Sequence, residues 1–400
     1  MCIVYLCTNV HNSTVPEFGH PQDTTMPHTI ASLSTNPSGW VQSLTTPVAR
    51  ALQHPWVESI VRLSAVEDSL QALHPLMSLT EVRARVVKVI DETALTKTFV
   101  LQPNALWAGA QAGQFVRVRQ EIEGRRVERV YSLSSCPGAR RIAFTVKRQS
   151  GGQVSNHLHD HLKVGDVLTI SQAMGEFVLP AVLPAKMLLL SAGSGITPVM
   201  AMLRSLQAQG YRGDVAFVHI CPVSDDLIFA NALKELAACW PALRLVLHFD
   251  EAQGRFSTDT LQHLVPDLQE RSTWVCGPSG LMDAVHHLWA DQSIAAPLQS
   301  ERFVAFALLP ATAPGTPVQV RFMASQQGFT TQGAAPLLVQ AEQAGLSPKH
   351  GCRIGICRSC QCVKTSGTVE NLQTSEVSSA PNELIRLCIT AARSDVTLDL

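Results

Sequence analysis

The sequence predicts a multidomain chain: a small antiparallel β-barrel, then an α/β domain, then a compact mixed unit organised around cysteines. Three observations predict it. Between residues 81 and 182, short β-type segments follow one another at turn-length intervals, with room for a single helix. Between residues 183 and 305, continuous apolar segments alternate with helical ones, the layered pattern of an open α/β sheet. Further on, four cysteines fall as Cys352, four residues, Cys357, two residues, Cys360 and, twenty-seven residues later, Cys388. That is the plant-type [2Fe–2S] spacing, with three loop ligands and one remote ligand.

Size and composition set the frame. Four hundred residues exceed one ordinary core and suit three domains of roughly 100 residues each plus extensions. With 46% hydrophobic residues and a formal net charge of −1, the chain as a whole is not of disordered type, and a nucleic-acid partner is disfavoured. The longest apolar run, around 187–192, is too short to span a bilayer. Residues 1–45, rich in Ser, Thr, Pro and His, read as a loose extension whose apolar start lacks the basic flank of a signal sequence. Residues 46–80 read as a helical appendage, with Val48, Leu52, Ile60, Leu63, Leu70 and Leu73 spaced along one face. Packing on the first domain and docking on a membrane-bound partner both remain open for it.

In the barrel, strands are expected at 81–89, 96–102, 115–120, 128–133, 141–147 and 167–170. A helix over 155–161, capped by Ser155 after the Gly151-Gly152 turn, would leave amides free to receive a phosphate. Nine basic residues against three acidic ones between Arg117 and Arg148 favour an anionic ligand. Alternation puts Arg129 and Tyr131 on one strand face, offering a guanidinium to a pyrophosphate and a ring to a planar cofactor, with Ser132 at the edge.

The α/β domain is expected to place strands at 186–190, 215–220, 243–248 and 273–276, and helices at 198–209, 227–238, 259–263 and 280–290. After the first strand, Gly193, Ser194, Gly195 and Thr197 precede Pro198, in a turn whose glycines let backbone approach a phosphate. Pro198 stands where the usual dinucleotide fingerprint has a third glycine. The segment 221–226 holds no Lys or Arg, and its Asp225 and Asp226 would repel a 2′-phosphate, so Arg255 is the candidate for that charge. No Gly-x-Ser-x-Gly elbow supports a hydrolase.

A connector over 306–317, with three prolines, leads to residues 318–400. There a hairpin (318–322 with 328–331), a helix (336–344) and a final strand (396–400) surround the cysteine loop, where Gly351 and Gly355 let the backbone wrap a cluster. Structural zinc is the competing use of four cysteines, but zinc sites favour two comparable short spacings. Cys362 competes with Cys360 as third ligand; the 4-then-2 spacing selects Cys360 and leaves Cys362 as a buried residue on a strand. Cysteines 2, 7, 136, 221, 239 and 276 show no disulfide framework, so a reducing, cytoplasmic setting is expected. Seven basic and six acidic residues leave this unit nearly neutral.

The motifs together resemble the ferredoxin-NADP reductase superfamily, through Gly113-Gln114-Phe115, the Arg129 to Ser134 segment, the Gly151 to Leu158 run and Gly-x-Gly-Ile-Thr-Pro. The resemblance implies a flavin barrel, a nicotinamide domain and a C-terminal β-grasp ferredoxin. Arg129, Val130, Tyr131 and Ser132 would hold FAD, or FMN as the alternative, with Lys147, Arg148, Gly152, Val154, Ser155 and Asn156 at its diphosphate. Gly193, Ser194, Gly195, Thr197, Arg255, Cys276, Gly277, Pro278 and Phe303 would receive NADPH, with NADH as the alternative. Ser132, Thr197, Cys276 and Glu301 would position hydride transfer rather than attack.

The domain order is similar to reductases of oxygenases and desaturases. The runs Val154-Ser155-Asn156-His157-Leu158-His159 and His350 to Cys357 most resemble bacterial reductases serving membrane acyl-CoA desaturases. The expected acceptor is a membrane-bound di-iron fatty-acyl desaturase, or else a terminal oxygenase or demethylase, with the chain peripheral to the inner membrane only through its partner. A flavin and iron–sulfur redox sensor is the alternative from another functional class.

Overall fold

Alternation decides the first unit. The computed structural model describes residues 63–122, 124–303, 317–331, 335–351, 353, 355, 358–372 and 376–400. A helix, α1 (Leu63–Leu73), leads in; the expectations for residues 1–62 lie outside the described residues. In β1 (Val82–Thr93), Val82, Ala84 and Val86 are buried while Arg83 and Arg85 face outward. β2 (Thr96–Pro103), β3 (Phe115–Ile122), β4 (Arg125–Ser132), β5 (Ile142–Lys147) and β6 (Val167–Ile170) follow, with α2 (Gln153–His161) between the last two. They form a six-stranded sheet in the order β4-β3-β6-β1-β2-β5, antiparallel throughout. A bridge between Leu133 and Phe144 draws its two edges together, so the sheet curls around Phe99, Leu101, Val116, Phe144 and Leu158. Asn104 donates to the carbonyls of Leu76 and Glu81, at 3.2 and 3.1 Å, and so ties the stretch after α1 to this barrel.

The helix after the Gly151-Gly152 turn starts earlier than Ser155. Gly152 is its N-cap and Ser155 lies in its first turn, where its hydroxyl accepts from Gln149 N–H at 3.2 Å. A serine already bonded to the preceding turn does not cap, and no side chain does.

The second unit has five parallel strands in the order β11-β10-β7-β8-β9: β7 (Lys186–Ala192), β8 (Asp214–Cys221), β9 (Leu243–Phe249), β10 (Ser272–Gly277) and β11 (Leu298–Arg302). Helices α3 (Ile196–Ala208), α4 (Ala230–Cys239), α5 (Asp250–Gln253), α6 (Thr258–Leu264) and α7 (Ser279–Asp291) connect them. Residues 187–190 of β7 are fully buried: Met187 and Leu189 point into one core layer and Leu188 and Leu190 into the other, as a central parallel strand requires. β11 carries one apolar residue in Leu-Gln-Ser-Glu-Arg and so gave no strand signal; pairing with β10 makes it a strand.

The barrel and the parallel sheet are braced together. The Glu92 carboxylate of β1 accepts from Thr98 Oγ1 at 2.8 Å and from the Phe229 N–H at 3.2 Å, where Phe229 caps α4 in the left-handed region (φ 62°). Arg204 of α3 donates to the Ser134 carbonyl and lies over the Phe229 ring, 5.4 Å from its centroid.

The third unit is a β-grasp. β12 (Gln319–Phe322), β13 (Gly328–Thr330), β14 (Gln361–Ser366), β17 (Glu383–Arg386) and β19 (Val396–Asp399) form a sheet in the order β13-β12-β19-β14-β17. β15 (Val369–Asn371), β16 (Glu376–Ser378) and β18 (Thr390–Ala392) form a small second sheet, and α8 (Leu337–Gln343) packs on the common core. Lys364, fully buried on β14, joins the two by donating to the Gly367 and Ser378 carbonyls at 3.1 and 3.0 Å, with Glu383 as counter-charge at 3.1 Å.

Cys239 is disulfide-bonded, so the expectation of thiols without pairing fails at that position. Among the described residues no helix is long and apolar enough to cross a membrane.

Candidate functional site

A cavity of about 290 Å³ opens between the barrel and the parallel sheet. β4 supplies Arg129, Val130, Tyr131 and Ser132 to one wall. The Tyr131 ring stacks on Phe144, centroids 5.3 Å apart at 22°, which fixes its plane, and burial pushes its phenol well up, so it stays neutral. Ser132 is buried opposite Phe115 across β3 and β4. Arg129 makes no ion pair among the described residues; its guanidinium donates to the Glu128 carbonyl at 2.8 Å and keeps its charge available.

The second wall is the start of α2, with Gly152, Val154 and Ser155 beside Lys147 of β5. A Cβ on Gly152 would lie 2.6 Å from Ser155 Oγ, so glycine keeps this corner open. Uncapped amides at a helix start, next to Lys147 and across from Arg129, make an anion site. An aromatic plane, a hydroxyl edge and a diphosphate corner therefore fit a flavin.

The parallel sheet closes the cavity with Ser194, Thr197 and Phe303. Thr197 Oγ1 donates to the Ser194 carbonyl at 3.0 Å and locks the turn that begins with Gly193 at φ +53°. Gly195 packs against the end of β10: a Cβ there would lie 2.1 Å from the Cys276 carbonyl oxygen and 3.0 Å from Gly277 N. Gly277 is crowded in turn by Ala192 and Leu281, and Pro278 caps α7. Two close backbone approaches at the ends of adjacent parallel strands fit a dinucleotide, which binds at strand carboxyl ends.

Cys276 and Glu301 stand in register on β10 and β11 behind this turn, outside the cavity lining. Burial, and then the Glu301 carboxylate, pushes the Cys276 thiol well above its ordinary range, which makes it a poor nucleophile. Glu301 is 6% exposed; burial pushes its carboxyl up to about 8, and its Oε2 has no hydrogen-bond partner among the described residues. An orphaned buried carboxyl at the carboxyl end of the parallel sheet fits a group that a bound cofactor would satisfy.

Other expected contacts lie elsewhere. Arg148 turns out to Asp160, 2.5 Å away, and Asn156 sits one helix turn on, with a buried Oδ1 lacking a partner. Arg255 is exposed in the turn after α5, away from the cavity. The Glu251 N–H donates to the Pro222 carbonyl at 3.0 Å, which sets that turn beside the one carrying Asp225 and Asp226. Phe115, Thr145, Gln149 and Gln153 line the cavity without having been singled out. Phe115 and Gln153 had a signal, as members of the Gly113-Gln114-Phe115 motif and the Gly151 to Leu158 run.

In the third unit, Cys360 and Cys388 are buried with their sulfurs 3.2 Å apart. Leu387 N–H donates to the Cys360 carbonyl at 3.1 Å and Arg386 to the Gly355 carbonyl at 2.7 Å, so the turn carrying Cys388 is laced to the loop. Gly355 takes φ +85°, a conformation that suits glycine. The other two expected ligands, Cys352 and Cys357, lie outside the described residues. Cys362, opposite Ile385 on β14, is buried, and burial pushes its thiol up to about 12. Two converging soft donors at Cys360 and Cys388 fit iron–sulfur ligation.

Comparison with known proteins agrees with this geometry. Three family models match: an oxidoreductase FAD-binding domain over residues 84–179, an oxidoreductase NAD-binding domain over 189–287 and a 2Fe-2S iron-sulfur cluster binding domain over 323–393. An NADPH oxidoreductase of Mycobacterium tuberculosis is 35% identical over 367 residues, covering 88% of this chain and 95% of that one. The glycine betaine monooxygenase reductase subunit of Pseudomonas aeruginosa is 32% identical over 348 residues, covering 79% and 94%. Phthalate dioxygenase reductase shares the fold, at a TM-score of 0.55 and 23% identity, over 80% of this chain and 98% of that structure.

Proposed function

This chain belongs to the ferredoxin-NADP reductase-like oxidoreductases that join FAD-binding, NAD-binding and [2Fe–2S] domains, and from that premise we propose that it carries electrons from NADPH to an oxygen-activating iron enzyme. Its cofactors are FAD, a nicotinamide dinucleotide and a [2Fe–2S] cluster, and it is an NAD(P)H oxidoreductase. The observation that carries the proposal is the shared cavity, where Tyr131 and Ser132 of the barrel face Ser194, Thr197 and Phe303 of the parallel sheet. Bound flavin supplies the exchange between a two-electron donor and a one-electron carrier.

The residues' work is positional. Arg129, Lys147 and the start of α2 hold the diphosphate, and Tyr131 presents a flat, neutral surface to the ring. Ser132 and Thr197 offer hydroxyls at the meeting of the two domains, and Phe303 excludes water. Glu301, protonated at neutral pH, can donate a proton or a hydrogen bond without placing a charge beside Cys276.

NADPH rather than NADH is supported by Arg255, an exposed cation in the turn after α5, whose start is bonded to the Pro222 carbonyl just before the basic-free segment 223–226. An oxygenase component is the acceptor we favour, supported by the relative named as a monooxygenase reductase subunit. A membrane-bound di-iron acyl-CoA desaturase is the second reading, supported by the His350 to Cys357 run. A cytoplasmic setting, with membrane contact only through a partner, goes with either.

The test is anaerobic titration with NADPH and NADH in parallel, following flavin bleaching and the cluster's paramagnetic signal. NADPH should reduce both centres at the lower concentration. Cys357→Ser should keep ferricyanide reduction and lose cytochrome c reduction. Undiminished delivery to cytochrome c and to the native acceptor by that variant would overturn the route. Reconstitution with an oxygenase component and, separately, with a desaturase in vesicles decides between acceptors.

A further inference from the structure

Among the described residues, two side-chain contacts join the cysteine loop to the barrel, and neither belongs to the cofactor cavity. Arg358, just before Ser359 and Cys360, pairs with Glu176, which follows the Gly175 that packs on the Phe115 ring. Arg117 donates from Nη1 to Ser359 Oγ at 2.9 Å. Phe115 and Arg117 share one face of β3, because strand side chains alternate. β3 therefore carries both a cavity-wall residue, Phe115, and the residue that holds Ser359, the neighbour of Cys360.

The ionic half of this contact is wet. The side chain of Arg358 is 54% exposed and that of Glu176 is 84% exposed, so water and salt compete for both charges. We propose that Glu176 and Arg358, with Arg117 and Ser359, form a releasable docking contact that seats the cluster loop on the barrel while an electron enters. In the step served, one electron leaves reduced flavin and arrives at the oxidised cluster, with no bond made or broken. The proposal rests on the cofactor assignment above; the releasable contact between loop and barrel is its addition.

The experiment uses the full chain loaded with FAD and cluster, checked by absorbance and iron content. Small-angle scattering reads docking without reference to turnover. Raising the salt concentration, Glu176→Lys and Arg358→Glu should each enlarge the radius of gyration, and the double variant should restore it. Ferricyanide reduction should be unchanged, while cytochrome c reduction should fall about tenfold in each single variant and recover in the double. A double variant as expanded and as slow as the singles, or dimensions indifferent to salt, would overturn the proposal. A wild-type protein that holds no cluster would instead defeat the cofactor assignment, while scattering would still report whether the contact exists.

Discussion

Glu301 is the residue whose chemistry depends most on its burial. Its carboxyl is pushed up from an ordinary 4.5 to about 8, so between these values the folded protein keeps a proton that the unfolded chain gives up. Stability must then fall as pH rises through that window, by about 1.4 kcal/mol per unit from this group. Below the window both states are protonated and the effect vanishes. Glu301→Gln should therefore melt at a temperature less sensitive to pH between 5 and 8; parallel melting curves for variant and wild type would disprove it. The juxtaposition with Cys276 was not visible in sequence order, because it comes from the parallel register of β10 and β11. Arg129 and Tyr131 were visible, because strand alternation is local. Thr145 and Gln149 reach the cavity only through strand pairing and a turn, which no local pattern encodes.

At the scale of elements, the Gly-x-Gly turn between β7 and α3 has two jobs for two glycines. Gly193 supplies an unusual backbone angle, and Gly195 a contact with the backbone of β10. Pro198 stands where the usual fingerprint has its third glycine, and the close approach is met at Gly195. Gly195→Ala sets a methyl against a carbonyl that has no rotamer to change, and should cost about 1–3 kcal/mol. It should also slow flavin reduction by nicotinamide while flavin absorbance is retained, since the barrel supplies the main flavin walls. Stopped-flow reduction together with a melting curve checks both, and normal reduction would remove Gly195 from the site. The strands of the barrel were legible within a few residues because β-branched and aromatic positions alternate with arginines. Helix α2 was misjudged at its start because Ser155 serves the preceding turn.

Across the whole molecule, the order of three units was readable from texture and cysteine spacing, whereas the way they meet was not. Glu92 illustrates the difference: an acidic residue on a strand looks solvated, yet it accepts the Phe229 amide of the neighbouring domain. Glu92→Ala should cost about 1–3 kcal/mol by stranding that amide. It should also split one calorimetric transition of the barrel and parallel sheet into two, and a single unaltered transition would show that the brace does not couple them. The near-neutral charge of the third unit likewise gave no hint that Arg358 meets Glu176.

β19, formed by residues 396–399, is an interior strand: it lies between β12 and β14, parallel to one and antiparallel to the other. Everything upstream of it, Cys388 included, leaves the ribosome before the sheet can be completed. Until residue 399 emerges, β12 and β14 have a gap where their shared neighbour belongs. A chain cut before residue 396 would keep the four candidate ligand cysteines and lose the strand that joins the two halves of the sheet around them.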